Sequence, residues 1–232
     1  MSGPVSYRKD DAIAVITLDD GKANVLGPGM LAEINSALDR AEAEEAGAVV
    51  IAGNDRVFSG GFDLKVFRSG DVQASIDMLQ GGFNLSHRLL SFPKPVVAAI
   101  TGHAIAMGSF LACSVDHRIA GPTYNFQANE VAIGMVLPYP ALEVMRLRLT
   151  PSAYQQAVGL ARTFLGETAL AGGWVDEIAM NDLVLSRAEE AAREFTTLNA
   201  SAHLASKMRA RQATLDAIRS GTDNIGSEFG LS

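Results

Sequence analysis

Cysteine is nearly absent from this chain. Cys113 is the only one among 232 residues, so no internal disulfide can form, and its apolar surroundings read as those of a small buried hydrophobe in a reducing compartment. Histidine is also scarce. His87, His103, His117 and His203 have no metal-ligand spacing with one another or with Cys113, so no metal site is expected. No apolar run reaches the length needed to span a bilayer, and the first residues, MSGPVSYRKDDAIAV, have neither the apolar core of a secretory signal nor the Arg/Ser bias of a transit peptide. A cytoplasmic protein without membrane association is the expectation. Positive charge is in deficit: 19 Lys and Arg face 26 Asp and Glu, a formal charge of −7. That balance argues against nucleic acid and anionic membrane as partners, although an acidic protein can still hold a local basic pocket for phosphates. Neither a GxxxxGK[ST] loop nor a GxGxxG turn occurs, and Ser109 lacks the flanking glycines of a nucleophile elbow. Nucleotide cofactors and serine nucleophiles are therefore not expected.

What is present is apolar mass. At 48% hydrophobic residues the chain can bury one large core, and no linker, repeat or low-complexity segment divides it. Ala12 to Leu18 alternates as a strand. Met30, Leu31, Ile34, Leu38 and Ala41 recur at helical spacing, and the β-branched run at Ala48 to Ala52 follows. A second cycle runs through a helix at Ile76 to Leu90 into a strand at 96–101. Thr150 before Pro151 reads as an N-cap with proline at the first helical position. Val184, Ala188, Ala191, Phe195 and Leu198 form a later amphipathic face, and Leu204 to Ile218 suit a last helix. This is an α/β pattern, and periodicity alone admits either a ββα spiral or an ordinary doubly wound sheet.

Two loops carry the chemistry. FSGGFDLK, Phe58 to Lys65, and TGHAIAMGSF, Thr101 to Phe110, each follow a short β-branched run and are rich in small residues that permit close backbone approach. Loops of this kind at strand ends can aim two main-chain N–H groups at one point, forming an oxyanion hole that stabilises charge developing on a carbonyl oxygen. Acyl chemistry without a nucleophile is the implied class.

These loops, together with KPVVAAITGHAIAMG, Asp116 and FQANEVAIG at Phe126 to Gly134, fall in the order and spacing of the crotonase, or enoyl-CoA hydratase/isomerase, superfamily. The resemblance runs from about residue 10 to residue 180. It implies a crotonase-type ββα spiral core at 1–183 holding an acyl-CoA site, with 184–232 as a C-terminal helical trimerisation region of the same domain. Homotrimers or dimers of trimers are implied, and the amphipathic faces after Val184 call for a partner. An acyl-CoA thioester is the implied substrate, its coenzyme A being part of the substrate and no separate cofactor being required.

Carried over position by position, the oxyanion donors are the N–H groups of Phe62 and Met107, and Gly61, Asp63, Lys65, Gly108 and Phe110 fall at substrate-binding positions. Hydratases that the sequence resembles use two glutamates. The first of those positions is Phe110 here, which can neither give nor take a proton, and the second is Glu130, the expected acid/base. The pair Asn129–Glu130 resembles the single-glutamate isomerases. The Gly-rich loop that supports water in hydratases corresponds to LPYPA, Leu137 to Ala141, where two prolines have no N–H. The resemblance thus favours isomerisation of 3-enoyl-CoA to 2-enoyl-CoA, with hydration through another acid such as Glu143, Asp63 or His103, or acyl-CoA binding without turnover, as alternatives. Family members continue beyond Leu231 with a further helical segment, which predicts a more open pocket here.

Overall fold

The computed structural model describes residues 3–230. A hairpin opens the chain: β1 (Val5–Asp10) pairs antiparallel with β2 (Ile13–Leu18). Helix α1 (Pro28–Ala43) then leads to a pattern that repeats three times. In the first cycle β3 (Ala48–Ala52) is followed after a short turn by β4 (Val57–Ser59), then by α2 (Leu64–Arg68) and α3 (Val72–Ser91). In the second, β5 (Val96–Ile100) is followed by β6 (His103–Ile105) and α4 (Met107–Cys113). In the third, β7 (His117–Ala120) is followed by β8 (Phe126–Gln127) and, after a 3-10 turn at Val131–Ile133, by α5 (Tyr139–Arg148). Helices α6 (Pro151–Leu160) and α7 (Gly166–Gly172), strand β9 (Glu177–Ile178), and α8 (Val184–Phe195), α9 (Ala200–Asp223) and α10 (Ile225–Glu228) complete the fold.

The first strand of each cycle joins one sheet and the second joins another. The larger sheet has the order β1-β2-β3-β5-β7-β9, parallel from β2 onward, and the smaller has the order β4-β6-β8, also parallel. Two sheets advancing in step make the ββα spiral, and the doubly wound alternative is excluded. Both faces of the larger sheet are buried, which explains why AVVIA and VVAAI are continuous apolar runs. Val49, Ile51 and Ala98 face α1, α3 and the main core. Ala48, Val50, Val97 and Ile119 face outward against Val184, Ala188, Ala191 and Ala192 of α8.

That packing removes the physical ground for reading the helices after Val184 as faces awaiting another chain. The α8 stripe is covered by the chain's own sheet, and α9 lies along α3 and α5. Leu198, grouped with that stripe from its spacing, lies past the end of α8 and is half exposed. Helix α9 is fixed by charge as well as by apolar contact. Lys207 Nζ donates to Asp116 Oδ2 at 2.7 Å and to Phe92 O at 2.9 Å, while Arg211 reaches Asp116 Oδ1 at 2.9 Å and Leu90 O at 2.9 Å. Burial lowers the Lys207 ammonium to about 8, against the opposing pull of Asp116. Asp116 also accepts the Val96 N–H at 2.8 Å, so one carboxylate ties the start of β5 to the C-terminal helix. No helix among the described residues is long and apolar enough to cross a membrane.

Candidate active site

The site forms where β4 and β6 end. They are parallel neighbours, so the loops that leave them lie side by side. In the first loop the Gly60 N–H donates to Ala23 O at 2.8 Å and the Gly61 N–H to Ser59 Oγ at 3.2 Å, whereas the Phe62 N–H has no acceptor among the described residues. In the second, the Ala106 N–H donates to Gln127 O at 2.8 Å, and Met107, as the first residue of α4, has an N–H with no intrahelical partner. The Phe62 and Met107 N–H groups, one on each loop, are without an acceptor among the described residues.

Their approach is set by backbone packing. Gly61 has φ +93°, and a Cβ built there would lie 2.9 Å from Ala106 Cβ and 3.3 Å from Met107 N. Ala106 itself has φ +49° and ψ −127°, a conformation costly for a residue with a side chain. Gly108 serves the same closeness from the helix side, since a Cβ there would come within 2.2 Å of Ser59 O. Ser109, buried on α4, donates its hydroxyl to Ala104 O at 2.6 Å and accepts the Gln127 N–H at 3.2 Å, which binds α4 to β6 and β8. It is a brace and not a nucleophile.

Beside the loops lies a cavity of about 280 Å3. Its walls are largely apolar: Phe62, Phe67, Leu79, Phe83, Phe110 and Phe229 contribute from four parts of the chain. Phe110 is buried and stacks on Phe83 with ring centroids 6.5 Å apart, and Phe83 meets Phe62 edge-on at 6.1 Å. Among the described residues Glu130 is the only ionisable one lining it. It follows β8 and opens the 3-10 turn, with its main-chain carbonyl accepting from the Ile133 and Met135 N–H groups at 3.0 and 2.8 Å. The side chain is buried, with the residue 8% exposed, and its Oε2 has no hydrogen-bond partner among the described residues. Desolvation raises this carboxyl to about 7, opposed only in part by a hydrogen bond from its own backbone N–H. A carboxyl at that value can take a proton near neutral pH and give it back. Asn129, next to it, also lines the cavity and keeps Oδ1 buried without a partner among the described residues.

The residues singled out from sequence therefore divide. Phe62, Phe110 and Glu130 line the cavity, and Gly61, Met107 and Gly108 shape the loop junction beside it. Asp63 instead caps α2, accepting the Lys65 N–H at 2.9 Å, and the Lys65 side chain is exposed on that helix; neither lines the cavity. The alternative acids lie elsewhere. Glu143 pairs with Arg146 at 3.3 Å, and His103 Nδ1 accepts the Asn125 N–H at 3.0 Å. Phe229 and the wall made by Leu79 and Phe83 escaped the sequence reading, although the latter two were visible as a helical stripe. Helix α10 carries Phe229 back onto the cavity.

Tyr139 supplies the only N–H between the two prolines of the 137–141 loop, and that N–H donates to Glu228 Oε1 at 3.1 Å. Pro138 and Pro140 have none. Ala141, the next residue, donates to Pro138 O at 2.9 Å. These groups are spoken for.

Comparison with known proteins agrees with this geometry. Residues 8–224 match the family model described as Enoyl-CoA hydratase/isomerase. A probable enoyl-CoA hydratase of Bacillus subtilis is 31% identical over 196 residues, covering 82% of this chain and 75% of its own. Among solved structures, an enoyl-CoA hydratase from Mycobacterium marinum is 66% identical with a TM-score of 0.96, covering 98% of this chain and all of that one. An apo enoyl-CoA isomerase of Mycobacterium tuberculosis is 63% identical, also with a TM-score of 0.96 and covering 98% of this chain and 100% of that one. With its spiral of paired sheets and a matching family model over nearly its whole length, the chain belongs to the enoyl-CoA hydratase/isomerase family.

Proposed function

We propose that this enzyme isomerises 3-enoyl-CoA to 2-enoyl-CoA with Glu130 as its single acid/base. The observation that carries the reading is that Glu130 is the only ionisable residue on the cavity wall among the described residues, with Phe110 at the position where the resemblance puts a second glutamate in hydratases. Glu130 as carboxylate removes a C2 proton from the bound thioester. The electron pair moves through C2 toward the carbonyl, and the resulting dienolate oxygen is held by the Phe62 and Met107 N–H groups. Such a donor contributes on the order of 3 kcal/mol to the transition state. Glu130, now the neutral acid, returns the proton to C4, the double bond comes to lie between C2 and C3, and the carboxylate is regenerated. No water and no second group enters the balance.

Hydration asks for more, because a water must be oriented and deprotonated while C2 gains a proton. The loop at 137–141 offers that water little support, since Pro138 and Pro140 have no N–H, the Tyr139 N–H is taken by Glu228 and the Ala141 N–H by Pro138 O. Relatives described as hydratases keep that second reading in view, whereas the solved structure described as an isomerase, 63% identical, supports the first. Homotrimers or dimers of trimers remain part of the proposal on the resemblance alone, because the apolar stripe of α8 is covered within the chain; sedimentation at micromolar concentration decides the matter.

The test is Glu130→Gln, which keeps the shape and removes the proton transfer. Turnover of 3-enoyl-CoA should fall about 100- to 10,000-fold while acyl-CoA binding stays within a few-fold. A Gln variant as active as the parent would rule out Glu130 as the base. Loss of neither activity nor binding, because the parent has no turnover to lose, would leave an acyl-CoA binder.

A further inference from the structure

We propose that Glu228 is a positioning residue for the acyl pocket: by accepting the Tyr139 N–H it clasps α10 to α5 and holds Phe229 in the cavity wall. Helix α10 has four residues, a single turn that has no stability of its own in water. Its position comes from contacts at both ends. At the start, Ile225 is fully buried, and the chain leading into it is tied by the Gln80 side chain, whose amide donates to Thr222 O at 3.3 Å. At the end stands the Glu228 carboxylate, with Oε1 3.1 Å and Oε2 3.4 Å from Tyr139 N.

That N–H suits a carboxylate for two reasons. Tyr139 is the first residue of α5, so its N–H has no intrahelical acceptor, and the positive end of the helix dipole adds to the attraction. The neighbouring positions offer no competition. Pro140 has no N–H, and the Ala141 and Leu142 N–H groups both bond to Pro138 O, at 2.9 and 3.2 Å. The clasp also lies on the seam of the cavity. Pro138 precedes Tyr139 and Phe229 follows Glu228, and both flanking residues line the wall. Opening the bond would free the end of α10 from α5 and take the Phe229 ring away from an apolar ligand. Glu228 touches no reacting atom in this account, and acts through Phe229.

The proposal rests on the acyl-CoA reading for the identity of the ligand, and not on which reaction follows. The test is equilibrium binding of two unreactive esters, dodecanoyl-CoA and acetyl-CoA, to the full chain and its variants. Glu228→Ala and Phe229→Ala should each weaken dodecanoyl-CoA about tenfold, with acetyl-CoA changed less than about twofold, as expected for loss of apolar cover over the acyl segment alone. The double variant should be no weaker than Phe229→Ala, because both changes remove one wall. Glu228→Gln should stay within about threefold of the parent, since the amide oxygen still accepts the N–H. With 3-enoyl-CoA as substrate, the loss should fall on KM more than on kcat.

Tyr139→Pro offers an independent route should Glu228→Ala fold poorly. Pro138 already has ψ 145°, the extended value that a following proline demands, and the Tyr139 side chain is 65% exposed, so the change removes the N–H with little else. It should match Glu228→Ala. Additive effects in the double variant, or a parent preference for dodecanoyl-CoA that Glu228→Ala and Tyr139→Pro both retain, would overturn the clasp while leaving the acyl-CoA reading intact. A parent that binds both esters equally would overturn both.

Discussion

Substituting Gly61 by alanine tests whether the two loops must meet as closely as they do. The new Cβ would lie 2.9 Å from Ala106 Cβ, 3.1 Å from Ile105 O and 3.3 Å from Met107 N, so the strands of the junction must part by about half an ångström to reach ordinary contact. Gly61 also sits at φ +93°, where any side chain strains the backbone. The strain alone should cost about 1–2 kcal/mol of stability. The displacement acts on the gap between the Phe62 and Met107 N–H donors, where a shift of that size is at the tolerance of a working site; kcat/KM for 3-enoyl-CoA should fall about 10- to 100-fold. Gly21→Ala is the matched control: φ is +73° there, but nothing lies within 4 Å of the added Cβ, so it carries strain without collision. Urea titration measures the stability term for both, and initial rates well below the melting range measure the catalytic one. If Gly61→Ala loses no more activity than Gly21→Ala, the convergence of the two donors does not matter to the chemistry.

Three further outcomes follow from Glu130 and its surroundings. Because the carboxylate form must begin the reaction and its carboxyl is raised to about 7, kcat/KM should rise with pH through a single ionisation near that value and then level; a profile flat across it would contradict the assignment. The same raised value has a stability consequence with a definite sign. The carboxyl favours the folded state fully below its ordinary 4.5 and loses that advantage as pH rises through about 7, so Glu130→Gln should stabilise the protein at pH 8 by at most about 3 kcal/mol and by little near pH 4, read as a pH-dependent difference in Tm. Finally, Phe110→Glu should restore little hydration of 2-enoyl-CoA, because the loop at 137–141 has two prolines without an N–H and its Tyr139 and Ala141 N–H groups are already engaged; a large gain, seen as faster loss of 2-enoyl-CoA absorbance, would make Phe110 the sole obstacle.

Much of the fold was legible where the pattern is long. The α1 stripe, the α3 stripe and the Thr150–Pro151 cap all stand where spacing predicts, Thr150 Oγ1 accepting from the Ala153 N–H at 3.4 Å. The smaller sheet was not legible from periodicity, because β4, β6 and β8 have three, three and two residues, too few to show alternation. Only the resemblance chose the spiral. The amphipathicity of α8 was correctly seen but its partner was not, since one helix stripe looks the same whether a sheet or another chain covers it. Glu130 was identifiable by its position in FQANEVAIG, whereas its orphaned Oε2 and raised carboxyl depend on packing from several segments. Glu228 and Tyr139 are separated by 89 residues, and nothing local joins them. Lys207 and Asp116, 91 residues apart, escaped for the same reason.

The central claim, that one buried carboxylate beside two backbone donors moves a proton and adds no water, is tested most directly by following 3-enoyl-CoA conversion and 2-enoyl-CoA hydration in parallel on one preparation. The account predicts isomerisation at least about 100-fold faster than hydration, the scale of one missing acid/base group. Hydration as fast as isomerisation would contradict it, and would require a second proton-transfer group that the wall of this cavity does not hold among the described residues.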